Sequence, residues 1–294
     1  MISMPATFVE IPRLAHHERC GWPEKGCECV LVHGKLEVLK GEREGLGQKK
    51  EKIQALYTAA KTQNDMEAAF ELVDLIYNDE VEDKLIDSFF DGGVAPIFVL
   101  PHPAFVIERN LTPEVDPSAG PTNALPFAYA ARLREMIGGE VDSDIVQAAR
   151  VGRTTLNRFQ RFLWQPQFVG DVRLDRPYVL VDDAVTIGGT VAALCSHIVR
   201  AGGTVAAVTA LAHKSGQHQP LALTYRTRQM LDTVYTAGIE HLWKEAIGHE
   251  IDCLTEPEGA FLLDWANERH GSGDGHSRLL ALRARLLKAR DQGE

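Results

Sequence analysis

No run of eighteen apolar residues occurs in the 294-residue chain, so no membrane-spanning helix is expected. The opening MISMPATFVEIPRLAHHERC lacks a basic start followed by an apolar stretch, so no secretory leader is expected either. Cysteine is scarce. Cys20, Cys27, Cys29, Cys195 and Cys253 are too few and too unevenly placed for a disulfide framework, and the reading is a reduced, cytoplasmic protein. Positive charge is in deficit: 31 Lys and Arg against 41 Asp and Glu leave a net charge of −10. A chain this acidic is poorly suited to sequence-independent nucleic-acid binding, which needs many phosphate-neutralising cations. No internal repeat or low-complexity tract appears. What remains is an ordinary globular composition, 45% hydrophobic and 24% charged, long enough for one large domain or two small ones.

The texture divides the chain into four stretches. Residues 1–47 read as irregular, with Gly21, Pro23, Gly26, Gly34, Gly41, Gly45 and Gly47 punctuating short apolar runs such as Val30-Leu31-Val32. Residues 48–91 carry apolar positions at helical spacing and predict two or three helices closing at Asp91-Gly92-Gly93. Residues 92–213 alternate strand and helix signals. Strands are expected at Ile97–Leu100, Ile145–Ala149, Tyr178–Val181 and Thr204–Ala212, and helices at Leu125–Ile137 (Asn123 as cap, Gly138-Gly139 as stop) and Thr190–Ala201. Buried strands separated by helices predict an α/β doubly wound parallel sheet. Residues 214–294 return to helix, ending in a Leu/Arg helix from Ser277 to about Arg290 that reads as a packing or dimer element.

The chemistry concentrates in Tyr178-Val-Leu-Val-Asp182-Asp183-Ala-Val185-Thr186-Ile187-Gly188-Gly189-Thr190. A buried strand runs into two adjacent carboxylates, then a Thr/Gly turn, then a helix. The glycines let backbone amides point inward, and the helix N-terminus adds its dipole and free N–H groups, which together make an anion site. The hydroxyls of Thr186 and Thr190 can donate to the same phosphate. Carboxylates at the C-terminal end of a strand suit sugar hydroxyls instead. A phosphorylated ribose needs both halves. The segment is neither a Walker A loop nor a dinucleotide fingerprint. An ordinary strand–turn–helix would share its outline without its function.

These residues resemble the phosphoribosyl pyrophosphate (PRPP) motif of type I phosphoribosyltransferases. The resemblance extends over roughly residues 92–213. Val99-Leu-Pro101-His102-Pro103 and Thr122-Asn123-Ala-Leu-Pro-Phe look like the first strand, pyrophosphate loop and helix of that fold. More narrowly they resemble the competence-protein-F (ComF) branch, whose pattern is Pro-x-His followed by Gly-Phe-Asn-Gln. Here that second element reads Pro121-Thr-Asn123-Ala, and residues 104–122 make a longer spacer than the family usually shows. The resemblance implies a phosphoribosyltransferase-type sheet with helical additions at both ends, and transfer of ribose 5-phosphate from PRPP to a nitrogenous base or related acceptor. It implies Mg²⁺, with Asp182 and Asp183 on the ribose hydroxyls directly or through metal-bound water. Val185, Thr186, Ile187, Gly188, Gly189 and Thr190 would hold the 5′-phosphate, and Pro101 and His102 would face pyrophosphate. Thr186 stands where the hypoxanthine–guanine branch has an aspartate, which disfavours a 6-oxopurine acceptor.

Leaving-group cations are expected to be arginines. No lysine occurs between Lys84 and Lys214, whereas Arg150, Arg153, Arg158 and Arg161 fall within twelve residues. By resemblance this is a basic flexible loop, with Arg150 and Arg158 the leading candidates; a solvated basic edge is the plainer reading. Trp164 and Phe168 either cover a base or sit in the core, with the core favoured. Near the start, Cys20, Cys27, Cys29 and His33 hold the chemistry of a structural zinc site at a spacing that matches no standard finger; free thiols are the alternative. Two other functions stay open: a PRPP- or nucleotide-sensing regulator without turnover, and a ComF-like accessory of DNA uptake or processing.

Overall fold

The computed structural model describes residues 19–47, 49–89, 93–101, 123–142, 144–147, 156–216, 219–270 and 273–291. His102, Arg150 and Arg153 lie outside them.

In chain order the elements begin with β1 (Cys29–Lys35), the single turn α1 (Leu36–Leu39) and three helices, α2 (Lys49–Thr62), α3 (Met66–Ile76) and α4 (Asp79–Phe89). Then come β2 (Ile97–Val99), α5 (Leu125–Ile137), β3 (Glu140–Val141), β4 (Val146–Gln147), α6 (Arg158–Leu163) and β5 (Phe168–Val169). The motif strand and helix follow as β6 (Tyr178–Val185) and α7 (Gly189–Arg200), then β7 (Val205–His213) and β8 (Gln219–Pro220). Four helices close the chain: α8 (Tyr225–Tyr235), α9 (Gly238–Ala246), α10 (Glu256–His270) and α11 (Gly275–Asp291).

The result is a mixed α/β fold around a mainly parallel six-stranded sheet in the order β3-β2-β6-β7-β1-β8. All neighbours pair parallel except β1 with β8. One face is covered by α2, α3, α4 and α5, whose Leu72, Val73, Leu85, Tyr129 and Leu133 meet Phe98, Val179 and Val181. The other face is covered by α7, with Leu194, Cys195 and Ile198 against Val99, Leu180 and Val208. A second core lies in the C-terminal helices, where Phe159 and Phe162 of α6 pack with Trp243, Leu262 and Leu286. Among the described residues no helix is long and apolar enough to cross a membrane.

Two strands depart from the sequence expectation. The stretch read as irregular supplies β1, which fills the position beyond β7 through pairs such as Val30↔Val208 and Val32↔Ala210. The strand signal at Ile145–Ala149 does not join the parallel sheet. Val146 and Gln147 pair antiparallel with Val169 and Phe168 in a separate two-stranded ribbon. Apolar character marked both as buried; it carries no information on partner or direction.

β2 and β6 are neighbours whose chains leave toward opposite edges. β2 passes through α5 to β3, whereas β6 passes through α7 to β7 on the other face. This is a topological switch point, and the crevice beyond the C-terminal ends of such strands is where open α/β sheets take ligands. Here it is bordered by Leu100-Pro101 and by Val185-Thr186.

Candidate functional site

Asp182 and Asp183 stand in the C-terminal half of β6. Both are buried, at 6% and 3% exposure. The Asp182 Oδ1 accepts the Asp183 N–H at 2.8 Å. Burial pushes the Asp182 carboxyl well above the ordinary carboxylate range, with the neighbouring Asp183 charge adding to the rise and Lys61 opposing it. Lys61, on α2, makes an ion pair with Asp183 Oδ2. Burial disfavours the charge on Lys61, but Asp183 outweighs it and holds the ammonium above its usual value. Tyr57, one turn back on α2, shares this environment: burial raises its hydroxyl, with Lys61 lowering it and Asp183 raising it.

After Thr186 the chain turns through Gly188, whose φ of +75° is left-handed, and enters α7 at Gly189. Three carbonyls of this turn are anchored from outside. His213, in register with Val185 across β6 and β7, bonds the Thr186 backbone. Its Nδ1 accepts the Ser215 N–H at 3.2 Å, so the proton sits on Nε2 and the bond runs to the Thr186 carbonyl. Burial lowers the imidazole pKa, and the bond to Thr186 partly offsets that shift. The Thr255 hydroxyl donates to the Ile187 carbonyl at 2.6 Å. The Arg19 Nη2 donates to the Gly189 carbonyl at 3.3 Å. Because a trans peptide points its C=O and N–H in opposite directions, anchoring these carbonyls turns the amides of Ile187, Gly188 and Thr190 the other way. Aligned amides at a helix N-terminus form a cradle for an anion.

The anchors are themselves fixed. Thr255 and Glu258 form a reciprocal cap at the start of α10: the Thr255 N–H donates to Glu258 Oε2 at 2.9 Å, and the Glu258 N–H to Thr255 Oγ1 at 3.1 Å. Glu258 then pairs in bidentate fashion with Arg19 at 2.6 and 2.9 Å. Arg19 also reaches Gln165 Oε1 at 2.6 Å and the Cys253 carbonyl at 3.3 Å. Burial raises the Glu258 carboxyl, but the Arg19 charge and hydrogen bonds prevail and hold it below its ordinary value. The turn is therefore braced by both ends of the chain.

Gly188 has a second reason to be glycine. A Cβ there would lie 2.8 Å from Leu221 Cδ1 and 3.1 Å from Thr255 Cγ2. Gly188→Ala combines left-handed backbone cost with displacement of Thr255, and is expected to destabilise by about 1–3 kcal/mol. Urea unfolding checks this; an unchanged midpoint would show that the turn tolerates a side chain.

The other sequence candidates are dispersed. Pro101 borders the crevice, its carbonyl accepting from Gln147 Nε2. Arg158 and Arg161 do not belong to an open loop. They sit in α6 behind a capping box of Asn157 and Gln160. The Arg158 guanidinium lies 5.1 Å over the Phe261 ring, and Arg161 Nε donates to the Leu156 carbonyl at 3.2 Å. Trp164 packs against the C-terminal core and Phe168 lies in the α7-side core.

The four zinc candidates are not brought together. Cys20 Sγ lies 3.9 Å from the Ser196 carbonyl, and Cys27 Sγ lies 3.4 Å from Cys195 Sγ on the α7 face. Cys29 packs on the opposite face. His33 belongs to a buried chain: it accepts from the Asn78 N–H at 2.8 Å and bonds the Tyr129 hydroxyl at 2.7 Å, which meets Thr209. Among the described residues no group of three or more His, Cys, Asp or Glu side chains is placed to hold a metal. A separate cavity of about 700 Å³ lies at the opposite end of the strands, lined by residues including Arg176, Pro177 and Thr204.

Lys61, His213, Arg19, Thr255 and Glu258 escaped sequence reasoning. Only Thr255-Glu-Pro-Glu258 carried a local signal, the Thr-x-x-Glu pattern ahead of the apolar Ala260-Phe-Leu-Leu.

No family model matches the chain. Over 206 residues it is 31% identical to a protein named TraN from Escherichia coli, an alignment covering 70% of this chain and 42% of TraN. Over 145 residues it is 29% identical to an uncharacterized protein of Haemophilus influenzae, covering 49% of this chain and 29% of that protein. The chain thus spans less than half the length of either of these relatives.

Proposed function

We propose that the protein binds PRPP at the C-terminal edge of β6 and transfers its ribose 5-phosphate to a nitrogenous acceptor, releasing pyrophosphate. The observation that carries the reading is the pairing of two buried carboxylates with a carbonyl-anchored, left-handed glycine turn at a sheet switch point. One half recognises vicinal hydroxyls and the other a phosphate, and their separation along the chain is that of a ribose and its 5′-phosphate in the resembled motif. The order β3-β2-β6-β7-β1 supports a phosphoribosyltransferase-type sheet, equivalent to 2-1-3-4-5 with the last position filled from the N-terminus.

In this reading Asp182 and Asp183 accept hydrogen bonds from the ribose 2′- and 3′-hydroxyls. The amides of Ile187, Gly188 and Thr190 hold the 5′-phosphate. Pro101 faces pyrophosphate. Departure of pyrophosphate develops positive charge on the ribose, as in glycoside transfer, and buried carboxylates beneath the ring favour that state. The hard oxygen donors of Asp182 and Asp183 suit Mg²⁺, which when bound supplies charge neutralisation to the leaving group.

The test is a melt of the whole chain with PRPP and Mg²⁺. At a hundredfold excess over the dissociation constant, stabilisation is expected to reach about 2.7 kcal/mol. An unmoved melting temperature at millimolar PRPP overturns the reading. Pyrophosphate release across a panel of bases then separates transfer from sensing: binding without release would assign the site to a sensor.

A further inference from the structure

The acidic pair already has a cation. Lys61 reaches Asp183 from α2, outside the strand–turn–helix unit. The two groups are unequally placed: the Asp183 side chain is 5% exposed, whereas that of Lys61 is 34% exposed. The carboxylate is enclosed, whereas the Lys61 side chain keeps about a third of its surface exposed. The end of α2 is latched in position, because the Ala60 carbonyl accepts the Ala124 N–H at 3.0 Å. That bond sets Lys61 beside the start of α5. Among the described residues, Lys61 faces Asp183 and Asp182 from β6 and Tyr57 from its own helix.

We propose that Lys61 is the resident counter-ion of the acidic pair, and that it exchanges Asp183 for the pyrophosphate oxygens of the incoming ligand. The proposal rests on the PRPP reading and adds a residue to it. An ammonium on a four-carbon stem is a mobile point charge that can change partners over a few ångströms. A ligand bringing hydroxyls and a divalent cation to Asp182 and Asp183 takes over their neutralisation and repels the ammonium. The strongest anion then within reach is the pyrophosphate. The exchange makes and breaks only hydrogen bonds and ion pairs. It also explains how the site works without lysine in residues 85–213: the cation comes from α2 through the fold.

The experiment compares the wild-type chain with Lys61→Met and Lys61→Arg. Binding of Mn²⁺ alone is read by electron paramagnetic resonance, and binding of pyrophosphate at saturating Mg²⁺ by calorimetry. Lys61→Met should bind Mn²⁺ about tenfold more tightly, because a competing cation is gone. It should bind magnesium pyrophosphate about tenfold more weakly, the scale of one charge-assisted hydrogen bond, with Lys61→Arg restoring most of the loss. Unchanged Mn²⁺ affinity in a folded Lys61→Met overturns the counter-ion role. Unchanged pyrophosphate affinity overturns the exchange. Failure of the wild type to bind pyrophosphate or PRPP at all would overturn the PRPP reading itself, which distinguishes the two failures. Should Lys61→Met not fold, the wild-type chain with ¹³C-dimethylated lysines carries the test. The Lys61 resonance, assigned through Lys61→Arg, must move on adding magnesium pyrophosphate, and a stationary signal refutes the exchange.

Discussion

Replacing Arg19 by methionine is expected to destabilise the protein by about 3–5 kcal/mol at pH 7, the cost of leaving a buried carboxylate without its partner. Both side chains are almost fully enclosed, at 2% for Arg19 and 1% for Glu258, so solvent cannot take over for either. The variant also loses the bonds to Gln165, Cys253 and Gly189. The sign of the pH dependence follows from Glu258. Its folded-state pKa is depressed, so the pair contributes fully above the unfolded value of about 4.3. That contribution fades as pH falls through the folded value. In Arg19→Met the carboxyl instead prefers its proton, and the gap between wild type and variant should narrow toward pH 4. Arg19→Met with Glu258→Gln should recover part of the loss, because a neutral amide costs less to bury than an unpaired charge. Urea unfolding at pH 7 and pH 4 measures all three. A loss below about 1 kcal/mol at pH 7 would show that the brace carries little energy.

The energetic weight of that brace marks where sequence reasoning ends. Local periodicity located α5 to the residue and placed β6, α7 and β7 within a few positions, because their signals are self-contained: apolar runs, a left-handed glycine, helix stops. Residues 48–91 likewise resolve into α2, α3 and α4. The acidic pair and the glycine turn are legible for the same reason. β1 was not, since glycines interrupt its surroundings and its partner lies some 178 positions away, as in the Thr209 to Leu31 bond. Lys61 is a solvated helix residue by every local criterion until α2 docks over β6. Arg158 and Arg161 mislead in the opposite sense. Their clustering suggests a phosphate-facing loop, yet Phe159 and Phe162 in the same six residues bind the segment to the C-terminal core and carry the arginines with them. Burial of two phenylalanines, at about 1.5–3 kcal/mol each, outweighs the solvation preference of the two adjacent cations.

The two aspartates, chemically identical neighbours, should respond oppositely to loss of charge. In metal-free buffer, Asp182→Asn is expected to stabilise the protein by about 1 kcal/mol, because it removes a buried carboxyl whose ionisation burial and the neighbouring Asp183 charge oppose. The folded-state pKa of Asp182 is raised, so its ionisation opposes folding as pH climbs above the unfolded value of about 3.9. The asparagine variant should lose that dependence, and its advantage should grow from pH 4 toward neutrality. Asp183→Asn should instead destabilise by about 1–2 kcal/mol, since Lys61 loses its carboxylate; its partial exposure keeps the loss below that of a sealed pair. Ligand binding should treat them alike. Each carboxylate is assigned a charge-assisted hydrogen bond to the ribose, worth about 1.5–3 kcal/mol, so each single variant should weaken PRPP with Mg²⁺ by about ten- to a hundredfold and the double variant by more. Thermal melts with chelator, set beside calorimetric titration with PRPP and Mg²⁺, give both readouts on the same samples. A site kept for ligand binding tolerates an unfavourable charge in the empty protein. A stabilised Asp182→Asn with weakened PRPP binding would therefore show stability traded for recognition at this position. If both variants lose stability and PRPP binding is untouched, the aspartates are structural and the ribose assignment falls.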